Sequence, residues 1–518
     1  MHSSILKRVI IIALLILAFS VSIPFRLNFI NNNTNELDEC HLNMLIIMKV
    51  WEADGAFYHK LSPCITFPNS GDKFAAYFKR LEDRKGDNYY ISYPPLIYIV
   101  TYPLTKIVGI SNAKLMMQIV NLLAHLISCL LIYFIVLEYF KKKQDSFFIP
   151  AFIAFSIYAF SPLMLTFHTH IYFPEMAGQF MFILVLYYTL KLINRDREVS
   201  VRSLSIFGFL IFLFIYSDWL GVFFVLALVL LLYLKKKQAN IRKLLVTVLV
   251  SAFLGLVVIL IQYSLINGIR SLMVSLFMRF AERSGFFPQG YFSLGDNFYN
   301  WNTYKLFINN FFNNIGLFGL AGIIMFIIWL LSQKVIKCYG NLIKNKLVFL
   351  TLIPSLMSAI IFFNATAIHY HYYARIIVPL SLGTGILSYL FIQKITAKFK
   401  KPVTFITLII LFGIVSFSLI QYYNNEKKVL AMIHPGITEN ASKYISENST
   451  NDEVIFLNYK PLGYQPVIYL TSITERNILD ATSLEDAYKR FEVYPQKKAV
   501  LITVDELGNL CNEHFSKK

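Results

Sequence analysis

Residues 244–265 read LLVTVLVSAFLGLVVILIQYSL, a run without a single charged side chain. A helix of this length rises about 33 Å, enough to cross the ~30 Å hydrocarbon core of a bilayer. The rest of the chain has the same character: of its 518 residues, 56% are hydrophobic and only 15% are charged. A soluble protein has about one-quarter charged residues. The sequence therefore predicts an α-helical, polytopic membrane protein.

Ten further apolar runs suit a membrane span, which gives about eleven predicted transmembrane helices. The first run, Val9–Phe25, follows Lys7 and Arg8 as a signal peptide would. No small-residue cleavage site follows it, so we expect this helix to be retained. The other runs are Ala113–Leu137, Phe147–Leu165, Met176–Leu192, Leu204–Ser217, Leu220–Leu234, Phe307–Leu331, Leu347–Phe363, Ile376–Phe391 and Val403–Tyr422.

Basic residues determine the predicted orientation. The segment Tyr93–Leu104 is ambiguous, because its prolines and apolar side chains fit either a span or a helix outside the membrane. If it stays outside, the Lys- and Arg-rich loops are cytoplasmic and the whole net charge of +18 lies on that side, as the positive-inside rule requires. We therefore predict a multi-pass plasma-membrane protein with a cytoplasmic N-terminus and an extracytoplasmic C-terminus. The basic charge then needs no nucleic acid as a partner.

Two long segments face the outside in this topology. The first of them, the loop 26–112, is predicted to belong to a membrane domain that comprises residues 1–423 and contains all the spans. The tail 424–518 is predicted to be a small extracytoplasmic α/β domain, because strand-like runs alternate with helix-compatible stretches. The strand-like runs are Val454–Leu457, Val467–Leu470 and Ala499–Val504, and the helical stretches are Thr438–Glu447 and Leu484–Phe491.

The first outer loop holds the strongest candidate for catalysis. A carboxylate beside a membrane helix is costly unless it is used or solvated. Asp38 and Glu39 precede an amphipathic helical pattern that ends in the motif Trp51–Gly55, and the helix dipole favours an ionised Asp38. Such a carboxylate can take a proton from an acceptor hydroxyl or amine. An ordinary helix cap is the competing interpretation. Cys40 and Cys64, in the same loop, could form a disulfide or remain two free thiols.

Acidic residues also occur near other predicted spans. Glu175 lies where the fourth span begins, close to His168 and His170, which are too few ligands for a metal site. We therefore expect no metal. Asp218, between the fifth and sixth spans, is either a substrate contact or a solvated acid beside the interfacial Trp219.

The fifth outer loop joins a fixed positive charge to ring and hydroxyl donors. Arg375 follows His371 and Tyr372. A planar guanidinium binds phosphate with two parallel hydrogen bonds, which suits a lipid phosphate headgroup. Anchoring at the membrane interface is the competing interpretation.

The order of these motifs, all on the predicted outer side, resembles the C-type (GT-C) membrane glycosyltransferases, and within them the protein O-mannosyltransferase and aminoarabinose transferase group. The stretches that carry the resemblance are residues 38–41, 51–55, 93–96, 173–175 and 371–373. The resemblance implies a polyprenyl-phosphate sugar as donor and transfer with inversion, without a cofactor. It also implies that Asp38 is the general base and that Glu39 and Glu175 are supporting acids. His59 and Tyr93 join Asp218, Arg375, His371 and Tyr372 as candidate substrate-binding residues.

Two departures from that group leave the sugar and the acceptor open. Glu175 follows a proline, where the protein mannosyltransferases have an Asp in a different context, and their Pro-Pro segment is preceded by His instead of Tyr93. The acceptor is therefore a protein, a lipid or a glycan. Two other functions compete: a transporter or lipid flippase, with ionisable residues deep in several spans, and an O-antigen polymerase or ligase, centred on a later loop such as 267–304.

Overall fold

A computed structural model describes residues 2–31, 39–75, 80–140, 148–194, 198–234, 239–286, 300–335, 346–396, 402–430, 435–461 and 467–517. Helices dominate these residues. In chain order they are α1 His2–Ser20, α2 Ile23–Asn31, α3 Glu39–Asp54, α4 Leu96–Val108, α5 Ala113–Phe140, α6 Phe148–Phe160, α7 Pro162–His170, α8 Pro174–Ile193, α9 Val201–Ser217, α10 Leu220–Tyr233, α11 Ala239–Ser284, α12 Trp301–Val335, α13 Lys346–Ile361, α14 Phe363–Ile368, α15 Ala374–Thr396, α16 Pro402–Leu430, α17 Pro435–Glu447, α18 Val467–Thr474 and α19 Leu484–Phe491. The strands are β1 Leu81–Glu82, β2 Asn88–Tyr89, β3 Glu453–Tyr459, β4 Ile478–Asp480, β5 Lys498–Val504 and β6 Leu510–Ser516.

Several of these helices have the length and composition of membrane spans. Within the described ranges, four are long and apolar enough to cross a bilayer, or five if α6 and α7, which meet at a bend of 53°, form one span. The chain is thus an integral membrane protein, and the total of eleven spans stays a prediction. The ambiguous segment after Tyr93 forms α4, whose length of about 20 Å is too short to cross the ~30 Å hydrocarbon core.

The contacts of the chain divide it into two compact units. The helical unit comprises Met1–Asn28, Val120–Val257 and Phe280–Asn424. The mixed unit comprises Phe29–Ile119, Val258–Arg279 and Asn425–Lys518. The first outer loop, which the sequence places with the membrane spans, therefore belongs to the same unit as the tail.

The helical unit is arranged around α15. This helix packs against α6, α12 and α13, while α8 packs on α9 and α10 packs on α13. The first turn of α15 carries Arg375. A charged side chain therefore lies at the beginning of the central helix of this unit. The aliphatic face of the helix, which includes Ile377, Val378 and Leu382, is buried.

The mixed unit contains a four-stranded sheet in the order β4-β3-β5-β6. Strand β3 runs parallel to β4 and β5, and β6 is antiparallel to β5. Alternate residues of β3 enter different cores: Ile455 and Leu457 pack towards α17 and α18, whereas Phe456 packs towards α19 and Phe515. This alternation is the period of two that a strand covered on both faces requires.

One predicted strand of the tail is wrong. Residues Val467–Leu470 open the helix α18, which packs against α3 and α17. A short run of apolar residues fits a buried helix as well as a strand, and only the tertiary packing decides between them. The predicted strands at Val454–Leu457 and Ala499–Val504 fall within β3 and β5, and the two predicted helices match α17 and α19.

The first outer loop is joined to the tail by a buried polar cluster. The guanidinium Nε of Arg476 lies 3.2 Å from a carboxylate oxygen of Asp72, and the backbone N–H of Asn477 donates to the other oxygen at 2.8 Å. The backbone N–H of Gly71 donates to the carbonyl of Asn451. Both Asp72 and Arg476 are buried. Cys40 and Cys64, in the same unit, are not joined by a disulfide.

Gly71 provides a test of this packing. A Cβ at this position would lie 2.1 Å from the backbone carbonyl oxygen of Glu453. Gly71→Ala must therefore separate the loop from β3, and we expect it to lower the free energy of unfolding by about 1–3 kcal/mol, typical of overpacking. Gly436→Ala is the control, because nothing lies within 4 Å of a Cβ there. Thermal unfolding of the purified protein and limited proteolysis of the tail measure both variants. Equal melting temperatures for the two would contradict the described contact.

Candidate active site

Glu175 is held at the beginning of a helix. Phe173 is the N-cap residue of α8, with extended backbone, and Pro174 occupies the first helical position, where its missing N–H costs nothing. Glu175 then lies in the first turn, where the helix dipole stabilises a negative charge. Its side chain is buried, so the carboxylate needs partners within the protein.

A second carboxylate lies at the junction of α9 and α10. Asp218 ends α9 with extended backbone, and its Oδ1 accepts the N–H of Leu220, the first residue of α10. The side chain is buried in the helical unit and is not a solvated acid at the membrane interface. Because α9 and α10 are separated only by this residue and Trp219, the position of the carboxylate is determined by the break between two helices.

Arg375 lies opposite Asp218. Its Nη2 donates to both carboxylate oxygens, at 2.9 and 3.1 Å, and its Nη1 donates to the hydroxyl of Ser358. The guanidinium also lies over the ring of Tyr372, with 4.7 Å between Cζ and the ring centroid. Arg375 is buried, and these contacts occupy much of its donor capacity. The geometry therefore shows an internal ion pair at the position where the sequence suggested a headgroup contact.

His371 joins Glu175 to the same region. Its Nε2 lies 3.3 Å from Oε1 of Glu175 and its ring stacks on that of His369, with 5.2 Å between centroids. Of the residues expected from the sequence, Glu175, Asp218, His371, Tyr372 and Arg375 thus belong to one buried cluster in the helical unit. We refer to these five residues as the charged cluster.

Arg283 is a member of this region that the sequence did not suggest. It is buried near the end of α11, and its charge attracts the carboxylates of both Glu175 and Asp218. The backbone carbonyl of the neighbouring Glu282 accepts a hydrogen bond from Asn364 at 2.9 Å. The sequence carries a signal for it, a Glu-Arg pair at the end of an apolar helical pattern, within the residues 267–304 that the sequence suggests as a loop. In the structure α11 continues to Ser284.

The remaining predicted site residues that the structure describes belong to the mixed unit. Asp38 is outside the described residues, and Glu39 begins α3 in the mixed unit. His59 and Tyr93 are buried in the mixed unit, where Nδ1 of His59 lies 3.1 Å from the hydroxyl of Tyr89 and the carbonyl of Tyr93 accepts from Tyr263. Among the described residues, no group of three or more His, Cys, Asp or Glu side chains could hold a metal.

The architecture defines the class of fold: it is the GT-C fold of membrane glycosyltransferases. The solved structures that share it include the archaeal oligosaccharyltransferase AglB from Archaeoglobus fulgidus, in complex with an inhibitory peptide and a dolichol-phosphate. That match has a TM-score of 0.57 and 11% identity over 96% of this chain and 70% of AglB. ArnT from Cupriavidus metallidurans, bound to undecaprenyl phosphate, matches with a TM-score of 0.53 and 13% identity over 97% of this chain and 93% of ArnT.

No protein-family model matches the chain, and no curated protein sequence matches it. At 11–13% identity the structural likeness establishes the fold, and it confirms the resemblance to GT-C proteins drawn from the sequence motifs.

Gly178 tests whether the charged cluster depends on close helix packing. A Cβ on Gly178 would lie 2.4 Å from the Cβ of Asp218, which Arg375 holds in place. We expect Gly178→Ala to displace Asp218 and to destabilise the protein by about 1–3 kcal/mol. Gly413→Ala, in α16, is the matched control because its added Cβ meets nothing within 4 Å. Intrinsic fluorescence during thermal unfolding in detergent compares them. If Gly178→Ala unfolds at the same temperature as Gly413→Ala, the close approach described here is incorrect.

His59 gives a pH-dependent prediction. Burial lowers the pKa of His59 from 6.5 to about 4, although the nearby Asp54 opposes this shift. The unfolded chain therefore binds a proton near pH 6.5 that the folded protein does not, so stability falls as the pH decreases from about 6.5 to 4. The expected loss between pH 7 and pH 5 is about 2 kcal/mol. His59→Gln should reduce the difference between the melting temperatures at these two pH values. An unchanged difference would show that His59 is not the titrating group.

Proposed function

We propose that this protein is a membrane glycosyltransferase that transfers a sugar from a polyprenyl-phosphate donor to an acceptor at the outer membrane face, with inversion. The observation that carries the proposal is the GT-C fold shared over almost the whole chain with the oligosaccharyltransferase AglB and with ArnT. Both of those structures contain a polyprenyl-type lipid phosphate. The acceptor is left open as a protein, a lipid or a glycan.

The proposed reaction is a single displacement. Asp38 removes the proton from the acceptor nucleophile, which attacks the anomeric carbon of the donor sugar. The new bond from the acceptor to this carbon forms as the bond to the phosphate oxygen breaks, and the lipid phosphate leaves as an anion. Because phosphate is a good leaving group, a positioned base and stabilisation of the developing negative charge are the main requirements.

The charged cluster supports this chemistry through its balance of charge. Two carboxylates, Glu175 and Asp218, lie within the influence of two guanidinium groups, Arg283 and Arg375. Asp218 is paired directly with Arg375, so this pair alone is close to neutral. We propose that Arg375, together with the charge of Arg283, stabilises the lipid phosphate. Glu175 and His371 then position the donor or the acceptor.

The test is transfer from radiolabelled polyprenyl-phosphate sugars by purified protein in liposomes. Asp38→Asn keeps the shape of the side chain but removes the base, so we expect transfer to fall by about 10²–10⁴-fold. Asp452→Asn, at an exposed ion pair in the tail, is the control and should keep its activity. Near-normal transfer by a well-folded Asp38→Asn protein would exclude Asp38 as the base and direct attention to Glu39 or Glu175.

The same assay examines Arg375. Arg375→Lys keeps the positive charge but cannot reproduce the contact with both oxygens of Asp218, so we expect weaker use of the donor, seen as a higher KM. Arg375→Ala would leave Asp218 buried without its partner, at a cost of about 3–5 kcal/mol, so loss of activity in that variant alone would be ambiguous. The double variant Asp218→Asn/Arg375→Lys separates folding from donor binding. An unchanged donor KM in Arg375→Lys would limit Arg375 to a structural role.

A transporter or flippase is the second candidate, because ionisable groups also lie inside the helical unit. Nη2 of the buried Arg26 lies 2.8 Å from Nδ1 of His125, and the ring of His125 stacks on His168 with 4.2 Å between centroids. Buried ionisable groups within membrane helices are typical of transport pathways. The liposome assay distinguishes the two functions: movement of the labelled lipid across the bilayer without cleavage of the sugar–phosphate bond would favour the transporter.

A further inference from the structure

Helix α11 is too long to serve only as a membrane span. The candidate span within it contains 45 residues, which corresponds to about 68 Å of helix, more than twice the ~30 Å hydrocarbon core. The helix is interrupted at Asn267 and Gly268, whose backbone angles are not helical, and Gly268 has φ 79°. The part before this break, residues 239–266, rises about 42 Å and is sufficient to cross the membrane. The part after the break must therefore serve another purpose.

One face of the segment Ile269–Phe280 is held by the protein. Leu272 is fully buried, and Nε of Arg279 donates to the hydroxyl of Ser92 at 2.7 Å. At the break, the side-chain amide of Asn267 donates to the carbonyl of Glu82 at 2.8 Å. These contacts all lie within the mixed unit, so this part of α11 is attached along one side to the first outer loop.

The opposite face is exposed, and it is apolar except for Arg270 in its first turn. Met273 is 53% exposed, Val274 is 58% exposed and Phe277 is 55% exposed, and Ile269 and Met278 belong to the same group. Their spacing of three and four residues places them on one side of a helix. A stripe of large apolar side chains on the surface normally marks a binding surface for lipid or protein.

Two properties of the segment identify its partner. It continues directly from a helix that crosses the membrane, so it starts at the level where that helix leaves the hydrocarbon. It also contains Arg270 and Arg279 and no acidic residue between positions 268 and 281. An apolar face combined with basic side chains is the composition of helices that lie in a membrane interface, where cations meet lipid phosphates.

We propose that Ile269–Phe280 lies flat in the boundary between the headgroups and the acyl chains of the leaflet at which the first part of α11 emerges. Met273, Val274 and Phe277 then face the acyl chains. Arg270 lies on the same side of the helix, in the first turn after the break, and extends its long side chain to the headgroup phosphates. The segment is followed after one turn by Arg283, whose charge acts on Glu175 and Asp218.

The experiment uses the full chain in nanodiscs of phosphatidylcholine, with and without phosphatidylglycerol. Single cysteines at Met273→Cys and Phe277→Cys carry an environment-sensitive fluorophore, in a background in which the five native cysteines are replaced. Val493→Cys, at a position in the tail that is 80% exposed, is the matched control for water. If a labelled variant does not keep the elution profile and melting temperature of the background protein, Val274→Cys replaces it.

The expected result is that lipid carrying a spin label near the headgroup quenches the probes at positions 273 and 277 more than lipid labelled deep in the acyl chain. Aqueous iodide should quench them weakly, whereas it should quench the probe at position 493 strongly.

Three outcomes would overturn the proposal. Iodide quenching equal to that at position 493 would place the face in water. Protection from both iodide and lipid quenchers would indicate a protein partner, such as a second copy. Stronger quenching by the deep label would show that the segment crosses the membrane.

Discussion

The ion pair between Asp218 and Arg375 is the interaction on which the arrangement of the helical unit depends. Two charges away from water are tolerated only when they are paired and their other hydrogen bonds are satisfied. The pair meets this condition because Asp218 also accepts the N–H of Leu220, and Arg375 also donates to Ser358. These contacts join the α9–α10 junction, α13 and the beginning of α15. The absence of a side chain on Gly178 lets α8 approach the same carboxylate closely.

The same principle joins the distant parts of the mixed unit. Asp72 and Arg476 are separated by about 400 residues, yet both are buried and contact each other. The backbone N–H of Asn477 and the side-chain amide of Asn69 also donate to the Asp72 carboxylate, and the side-chain amide of Asn477 donates to the backbone carbonyl of Asp72. The hydrophobic sheet of the tail provides a stable support, and this cluster determines where the first outer loop attaches to it.

The two units suggest a division of tasks in the proposed enzyme. The helical unit holds a buried set of charges in which two arginines balance two carboxylates. The mixed unit holds α3, whose N-terminus follows the proposed base Asp38 directly in the chain. In sequence, the part of α11 after its break belongs to the mixed unit up to Arg279 and to the helical unit from Phe280 onwards.

The sequence by itself determined the helical membrane character, the general positions of the long helices, and two strands and two helices of the tail. It also indicated Glu175, Asp218, His371, Tyr372 and Arg375, because charged residues next to long apolar runs are unusual enough to be noticed. These are properties of short stretches of chain. Only the tertiary structure showed that Arg375 is paired with Asp218, that Arg283 belongs to the same region, that Val467–Leu470 is helical, and that the first outer loop joins the tail. The reason is that each of these features depends on contacts between residues that are distant in sequence. The amino-acid pattern around one residue does not specify which distant residue will neutralise its charge or cover its apolar side chain.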